Sequence, residues 1–160
     1  MFYIKPARFI PKTMSTNSFM DSLVYVMNCL LEKERNCKNG IGAVINMTDW
    51  RMTNFNVSYW HRFMMTLQGR RSPCRVQLVL LVNCPPWFGK IWMMMRTMLS
   101  DDFRKKMHMV SFHAMRHHMK RGFEQHLPDD IHSGRADTDL LLKGFIEDRK
   151  RIESSRIMDA

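Results

Sequence analysis

The stretch that decides the fold is SPCRVQLVLLVNCPPWFGKIWMMMRTML, residues 72–99. Residues 76–82 are almost continuously apolar and rich in β-strand formers, which is typical of a strand that is covered on both faces. Pro85 and Pro86 follow, and proline suits the first turn of a helix. This stretch therefore predicts a buried strand followed by a helix over residues 87–99.

The rest of the chain repeats this alternation. Further strands are predicted over residues 2–9, 41–47 and 107–112, and further helices from the cap cluster 15–18 to Leu31, over 57–67, over 113–123 and over 137–157. A charged turn is predicted over residues 32–38, and an interruption of the last helix at Gly144. Strands that alternate with helices predict an α/β fold with a mostly parallel β-sheet flanked by helices.

Composition narrows the class of protein. The chain is 45% hydrophobic, and 25 Lys and Arg against 15 Asp and Glu give a net charge of +10. This hydrophobic content excludes a disordered chain. No apolar run approaches the ~20 residues of a membrane span, and no signal peptide is recognisable. Together with four cysteines that form no C-x-x-C pair, these features predict a cytoplasmic protein.

The predicted helix over residues 87–99 is apolar around nearly its whole circumference. Its apolar residues are Trp87, Phe88, Ile91, Trp92, Met93, Met94, Met95, Met98 and Leu99. A helix without a polar face is either buried on all sides or faces an apolar partner for part of the time. It therefore indicates a buried core helix, a lid over a lipid-sized cavity, or a segment that enters a membrane interface.

A basic segment follows this helix. Residues 103–123 contain six Lys or Arg and four His, and no acidic residue. Such a segment attracts the phosphates of lipids or nucleic acids, whereas its simplest interpretation is a solvated basic face. The aromatic signature of common RNA-binding domains is missing, so nucleic acid is not expected as the partner.

Motifs for catalysis and metal binding are also missing. There is no G-x-S-x-G elbow, P-loop or G-x-G-x-x-G motif, so no enzyme activity and no cofactor are predicted. His113 and His117 lie one helical turn apart, but no Cys or carboxylate stands beside them at a spacing typical of zinc sites. We therefore predict no metal site.

The order of motifs resembles the core of the CRAL-TRIO lipid-binding domain. The residues that carry the resemblance are Ser72-Pro73-Cys74-Arg75, Val79 to Pro85, Trp87-Phe88, Met98-Leu99, Arg104-Lys105-Lys106, Leu127-Pro128-Asp129-Asp130 and Ser133-Gly134. Within the family, the Pro-Trp-Phe and Gln-His-Leu-Pro stretches are similar to the N-terminal domain of a non-receptor tyrosine phosphatase. Cys74 stands where phosphatidylinositol-transfer members carry Glu, and Lys106 matches the family's basic headgroup residue.

The resemblance implies a pocket for one hydrophobic molecule, such as a phosphoinositide, another phospholipid, tocopherol or a retinoid. The implied gate residues are Trp87, Phe88, Ile91, Trp92, Met95 and Met98, and the candidate wall residues are Val44, Ile45, Phe63, Leu80 and Val82. Arg104, Lys105 and Lys106 are expected to meet a headgroup or an anionic membrane, which implies peripheral membrane association.

The resemblance also divides the chain. Residues 1–139 are predicted to form the lipid-binding domain, and residues 140–160 a charged helical extension. The helical domain that usually precedes this fold is missing from the sequence, so an uncovered apolar face and self-association are expected. The alternative function is a protein-interaction or regulatory module of a larger signalling protein, which would dock a partner through its Met- and Trp-rich surface.

Overall fold

The computed structural model of the chain describes residues 1–69, 72–131 and 134–158. The chain divides into two compact units, Met1–Met115 and Arg116–Ala160, which we describe one at a time. The division into residues 1–139 and 140–160 stays a prediction.

The first unit is built on a four-stranded parallel sheet. Its strands are β1 (Phe2–Ile4), β2 (Ile41–Asn46), β3 (Val76–Val82) and β4 (Met107–Val110). They lie in the order β1-β2-β3-β4, and each neighbouring pair is parallel. The predicted α/β fold with a mostly parallel sheet is confirmed.

Helices connect the strands, and polar side chains cap three of them. These helices are α1 (Thr16–Leu31), α2 (Glu34–Asn39), α3 (Val57–Gln68), α4 (Phe88–Met95), α5 (Asp101–Lys105) and α6 (Phe112–Met115). Ser15 accepts from the Ser18 amide at the start of α1, and Asn56 accepts from the Tyr59 amide at the start of α3. Ser100 caps α5 in the same way. Each cap satisfies a backbone N–H that has no partner within its helix.

Several predicted elements differ from the structure. The strand predicted over residues 2–9 ends at Ile4, because Pro6 cannot donate to the sheet and instead opens a 3-10 turn. The charged turn predicted over residues 32–38 contains α2, in which Glu34 and Lys38 form an ion pair of 2.7 Å. The helix predicted over 113–123 is limited to α6 and a following 3-10 turn.

The two faces of the sheet are both buried. On one face, Ala43 and Ile45 of β2 and Val79 and Leu81 of β3 join the core formed with α1, α3, α4 and α5. Val44, Leu80 and Val82 are also buried but lie outside that core. Because successive strand residues point to opposite faces, these three belong to the other face of the sheet.

The second unit contains a short bridged loop and a long helix. Pro128 pairs with Ala136, and the Ala136 amide donates to the Leu127 carbonyl at 3.1 Å. The helix α7 (Thr138–Met158) is continuous through Gly144, so the predicted interruption there is wrong. One glycine lowers helix stability by only ~1 kcal/mol relative to alanine, which a helix of this length tolerates. Ser133 lies outside the described residues.

No helix among the described residues is long and apolar enough to span a membrane.

Gly40 connects α2 to β2 in a conformation that favours glycine. Its φ is +73°, and a Cβ at this position would collide with the Arg75 carbonyl oxygen. Gly40→Ala is therefore expected to lower the free energy of unfolding by about 1–3 kcal/mol in chemical denaturation. Gly144→Ala is the matched control, since a Cβ there meets no atom of the described residues within 4 Å apart from the backbone of its own helix. It should raise stability by roughly 0.5–1 kcal/mol. Equal stability of the wild type and Gly40→Ala would contradict this account.

Candidate functional site

The turn between β3 and α4 fixes where α4 begins. Asn83 has a φ of +54°, which asparagine tolerates better than most residues. Its amide side chain donates to Thr48 Oγ1 at 3.3 Å, and its backbone N–H donates to the Val110 carbonyl at 3.1 Å. The Phe88 N–H donates to the Pro85 carbonyl at 2.9 Å. The Asn-x-Pro motif thus ends the strand and directs the chain into α4.

An aromatic cluster holds the beginning of α4. The Trp50 ring lies 4.9 Å from Trp87, 5.1 Å from Trp60 and 5.5 Å from Phe88, measured between ring centroids. Phe88 is completely buried. Aromatic pairs at these distances add packing energy beyond the area that they bury. The first turn of α4 is therefore anchored in the core.

The two sides of α4 differ in exposure. Of the predicted gate residues, Phe88 and Met95 are buried, Trp87, Ile91 and Trp92 are half-buried against the core, and Met98 is 44% exposed. The opposite side presents Met93, which is 62% exposed, with Met94 and Lys90 also exposed. One side of α4 is thus core, as in the first interpretation of this helix, and the other leaves methionines in solvent.

A narrow apolar groove runs between α3 and α4. It is lined by Phe55, Val57, Trp60, His61, Met64, Met65, Gln68, Met95 and Met98. Its volume is ≈ 10 Å³, about the room that one water molecule needs. An apolar ligand of any size would therefore require α4 to move away from α3.

The structure brings some of the predicted wall residues close to α4 but not others. Ile45 and Phe63 belong to the core that α4 joins. Val44, Leu80 and Val82 lie on the other face of the sheet. Met64, Met65 and Gln68, which the sequence analysis did not single out as site residues, line the groove instead. The sequence contains 17 methionines, but this number does not say which of them share a groove.

A wider polar cleft opens where α3 ends and β3 begins. Its volume is ≈ 450 Å³, and its lining residues include Gln68, Ser72, Cys74, Arg75, Ser100, Asp102 and Lys106. Cys74 and Lys106, the two positions that the family resemblance connects with a headgroup, both line this cleft. Burial raises the pKa of the Cys74 thiol, which a hydrogen bond with Ser72 partly opposes. Cys74 is therefore a neutral thiol near neutral pH, where a carboxylate would carry a negative charge.

The basic residues after α4 are not equivalent. Arg104 forms an ion pair with Asp101, which lies just before the acid-free segment, and its side chain is 35% exposed. Lys105 is exposed, and Lys106 is half-buried at the cleft. Asp101 thus neutralises part of the charge that the sequence analysis assigned to the three residues together. Arg96, Asp101, Arg104 and Lys105 line a shallow depression beside the cleft.

The CRAL/TRIO domain family matches residues 1–131. The chain belongs to the CRAL/TRIO domain family. CRAL/TRIO domains are lipid-binding modules, so the general class of ligand predicted from the sequence is confirmed.

Curated relatives of this CRAL/TRIO domain include tyrosine-protein phosphatase non-receptor type 9 of Mus musculus and of Homo sapiens. The mouse protein is 22% identical over 135 residues, which is 84% of this chain and 22% of the relative. The human protein is 22% identical over 126 residues, which is 79% of this chain and 20% of the relative. The predicted similarity to a non-receptor tyrosine phosphatase is confirmed, while the chain spans about a fifth of the length of these relatives.

Two polar atoms of the CRAL/TRIO core lack partners within the described part of the chain. They are the indole Nε1 atoms of Trp50 and Trp60, both buried. A buried N–H without an acceptor lowers the stability of the folded state by roughly 1–3 kcal/mol. A ligand oxygen or a water molecule that reached these atoms would remove that penalty. Trp60 also lines the groove between α3 and α4.

Proposed function

We propose that this CRAL/TRIO domain binds one hydrophobic lipid beneath α4 and carries or senses it at an anionic membrane surface. The observation that carries the proposal is the methionine-lined groove between α3 and α4, which shares Gln68 with a cleft that Arg75 and Lys106 line. An apolar groove suits an acyl or isoprenoid tail, and a few polar groups beside it suit a headgroup. In this proposal the domain is not enzymatic, needs no cofactor and works at the cytoplasmic face of a membrane.

The groove is too small for a lipid in this structure, which is consistent with α4 acting as a gate that opens when a lipid binds. Met64, Met65, Met95 and Met98 form most of its apolar lining. Methionine is unbranched and polarizable, so it adapts to ligands of different shape and repacks when none is bound. Met93 and Met94 face outward, where an open gate would bring them to the hydrocarbon boundary of a membrane.

The cleft favours an anionic headgroup. Lys106 and Arg75 supply two positive charges against the one carboxylate of Asp102, and the neutral thiol of Cys74 adds no further repulsion against a phosphate. Phosphoinositides and other anionic phospholipids are therefore the ligands that we favour over tocopherol and retinoids.

The exposure of Met93 and Met94 also suits the second candidate function, a protein-interaction module. The two functions differ in what the purified protein contains. Native mass spectrometry, followed by organic extraction, should detect one co-purified lipid per chain if the domain is a lipid carrier. A chain that carries no lipid and takes up none from vesicles would favour the interaction module.

A substitution inside the groove should abolish loading. Met98→Asp places a charge in the groove at a side chain that is 44% exposed, so the fold should survive. We expect uptake of a fluorescent phospholipid to fall at least about tenfold, since an unpaired charge opposes burial of an acyl chain. Met93→Asp is the matched control, because Met93 is 62% exposed and does not line the groove. In detergent, without vesicles, the control should load like the wild type. Equal loss of uptake in both variants would contradict the role of the groove.

A further inference from the structure

The side chain of Gln68 connects α3 to the segment that follows α4. Its Nε2 donates to the Met98 carbonyl at 3.1 Å and to Met65 Sδ at 3.3 Å. Its Oε1 accepts from the Ser100 backbone N–H at 3.0 Å. Met98 ends the 3-10 turn that extends α4, and Ser100 caps α5. One amide therefore holds the chain on both sides of Leu99.

The chemistry of these contacts requires an amide. The carbonyls at the end of a helix have no partners within the helix, and neither do the N–H groups at its start. Gln68 contacts the Met98 carbonyl and the Ser100 N–H, so its side chain must carry both a donor and an acceptor. Glutamate could keep the contact with the Ser100 N–H, but it has no proton to donate to the Met98 carbonyl.

We propose that Gln68 is a latch that fixes the C-terminal end of the gate segment on α3 and sets the rate at which the groove opens. This inference rests on the proposed function, because it names the contact that must break for α4 to admit a lipid. Gln68 and Met98 line the groove, so separating them widens the groove directly. Phe88 anchors the beginning of α4, and Met95 and Leu99 pack into the same core near its other end. Opening that end must therefore break this packing as well as the contacts of Gln68.

The latch also lies at the boundary between groove and cleft. Gln68 lines both, and Ser100 lines the cleft. A headgroup oxygen that reached the Ser100 N–H would replace the Gln68 contact. Headgroup binding would then break one of the two bonds of the latch and leave the bond to the Met98 carbonyl.

The test uses two variants of the full chain. Gln68→Met keeps the length of the side chain but removes the strong donor and acceptor, and Gln68→Glu keeps only the acceptor. Gln125→Met is the control, since Gln125 is an exposed glutamine in the second unit. The first measurement is amide hydrogen exchange at Ser100. Gln68→Met should lose roughly tenfold in protection there, whereas Gln68→Glu should stay near wild type. Unchanged exchange at Ser100 in Gln68→Met overturns the latch.

The second measurement is the release of a fluorescent phosphatidylinositol from the loaded protein to acceptor vesicles. Both Gln68 variants should release it roughly tenfold faster than wild type and Gln125→Met, because each has lost the bond to the Met98 carbonyl. Faster exchange at Ser100 with an unchanged release rate overturns the control of the gate by Gln68. A wild-type protein that takes up no phospholipid overturns the proposed function instead, and the exchange measurement then still decides whether the latch exists.

Discussion

Phe88→Ala is expected to lower the free energy of unfolding by about 3–5 kcal/mol, the range for deleting a buried aromatic side chain. Phe88 is completely buried and lies 5.5 Å from the Trp50 ring and 6.1 Å from the Trp92 ring. Removing its ring leaves a cavity in a cluster whose rings are fixed by their neighbours, so the site has little freedom to collapse. Chemical denaturation monitored by circular dichroism gives the measurement.

The matched control for Phe88 is on the same helix. Met93→Ala should change stability by no more than roughly 0.5 kcal/mol, because Met93 is 62% exposed. A loss below about 1 kcal/mol for Phe88→Ala would show that α4 is not anchored at this end. The pair of variants thus separates the part of α4 that belongs to the core from the part that the proposed gate uses.

Lys105→Gln together with Lys106→Gln is expected to weaken binding to phosphatidylserine vesicles by tens-fold. Each basic residue near an anionic leaflet contributes roughly 1 kcal/mol, so two contribute about 2 kcal/mol. Adding Arg104→Gln should weaken binding by a smaller further step, since Asp101 already neutralises Arg104. Vesicle sedimentation at two salt concentrations measures the effect, and the difference should shrink at high salt because ions screen exposed charges.

Asp101→Asn is a control that should change vesicle binding in the opposite direction. It removes the carboxylate that pairs with Arg104, so binding to anionic vesicles should strengthen. Loading of a neutral lipid from detergent should stay close to wild type in the lysine variants, because that step depends on the groove. Equal binding of the wild type and the double variant to anionic vesicles would leave Lys105 and Lys106 as an ordinary solvated face.

The succession of strands and main helices along the chain could be predicted, because local sequence determines where each of these elements forms. Residues 76–82 are apolar except for Gln77, and they form β3 over the same range. Ser15, Asn56 and Ser100 are cap residues in sequence and caps in the structure. The predicted strand over residues 2–9 failed beyond Ile4, where a single proline outweighs the strand propensity of its neighbours.

Sequence alone determined that this chain forms a parallel α/β fold with an apolar helix after the Asn-x-Pro turn, because hydrophobic periodicity, cap residues and prolines act within a few residues of one another. The tertiary structure decided which side of α4 is buried, that Val44, Leu80 and Val82 lie on the other face of the sheet, and that Gln68 meets Met98 and Ser100. The contacts of Gln68 join residues that are about thirty positions apart in the sequence. Their geometry depends on how α3 and α4 pack against the same sheet, which no local pattern encodes.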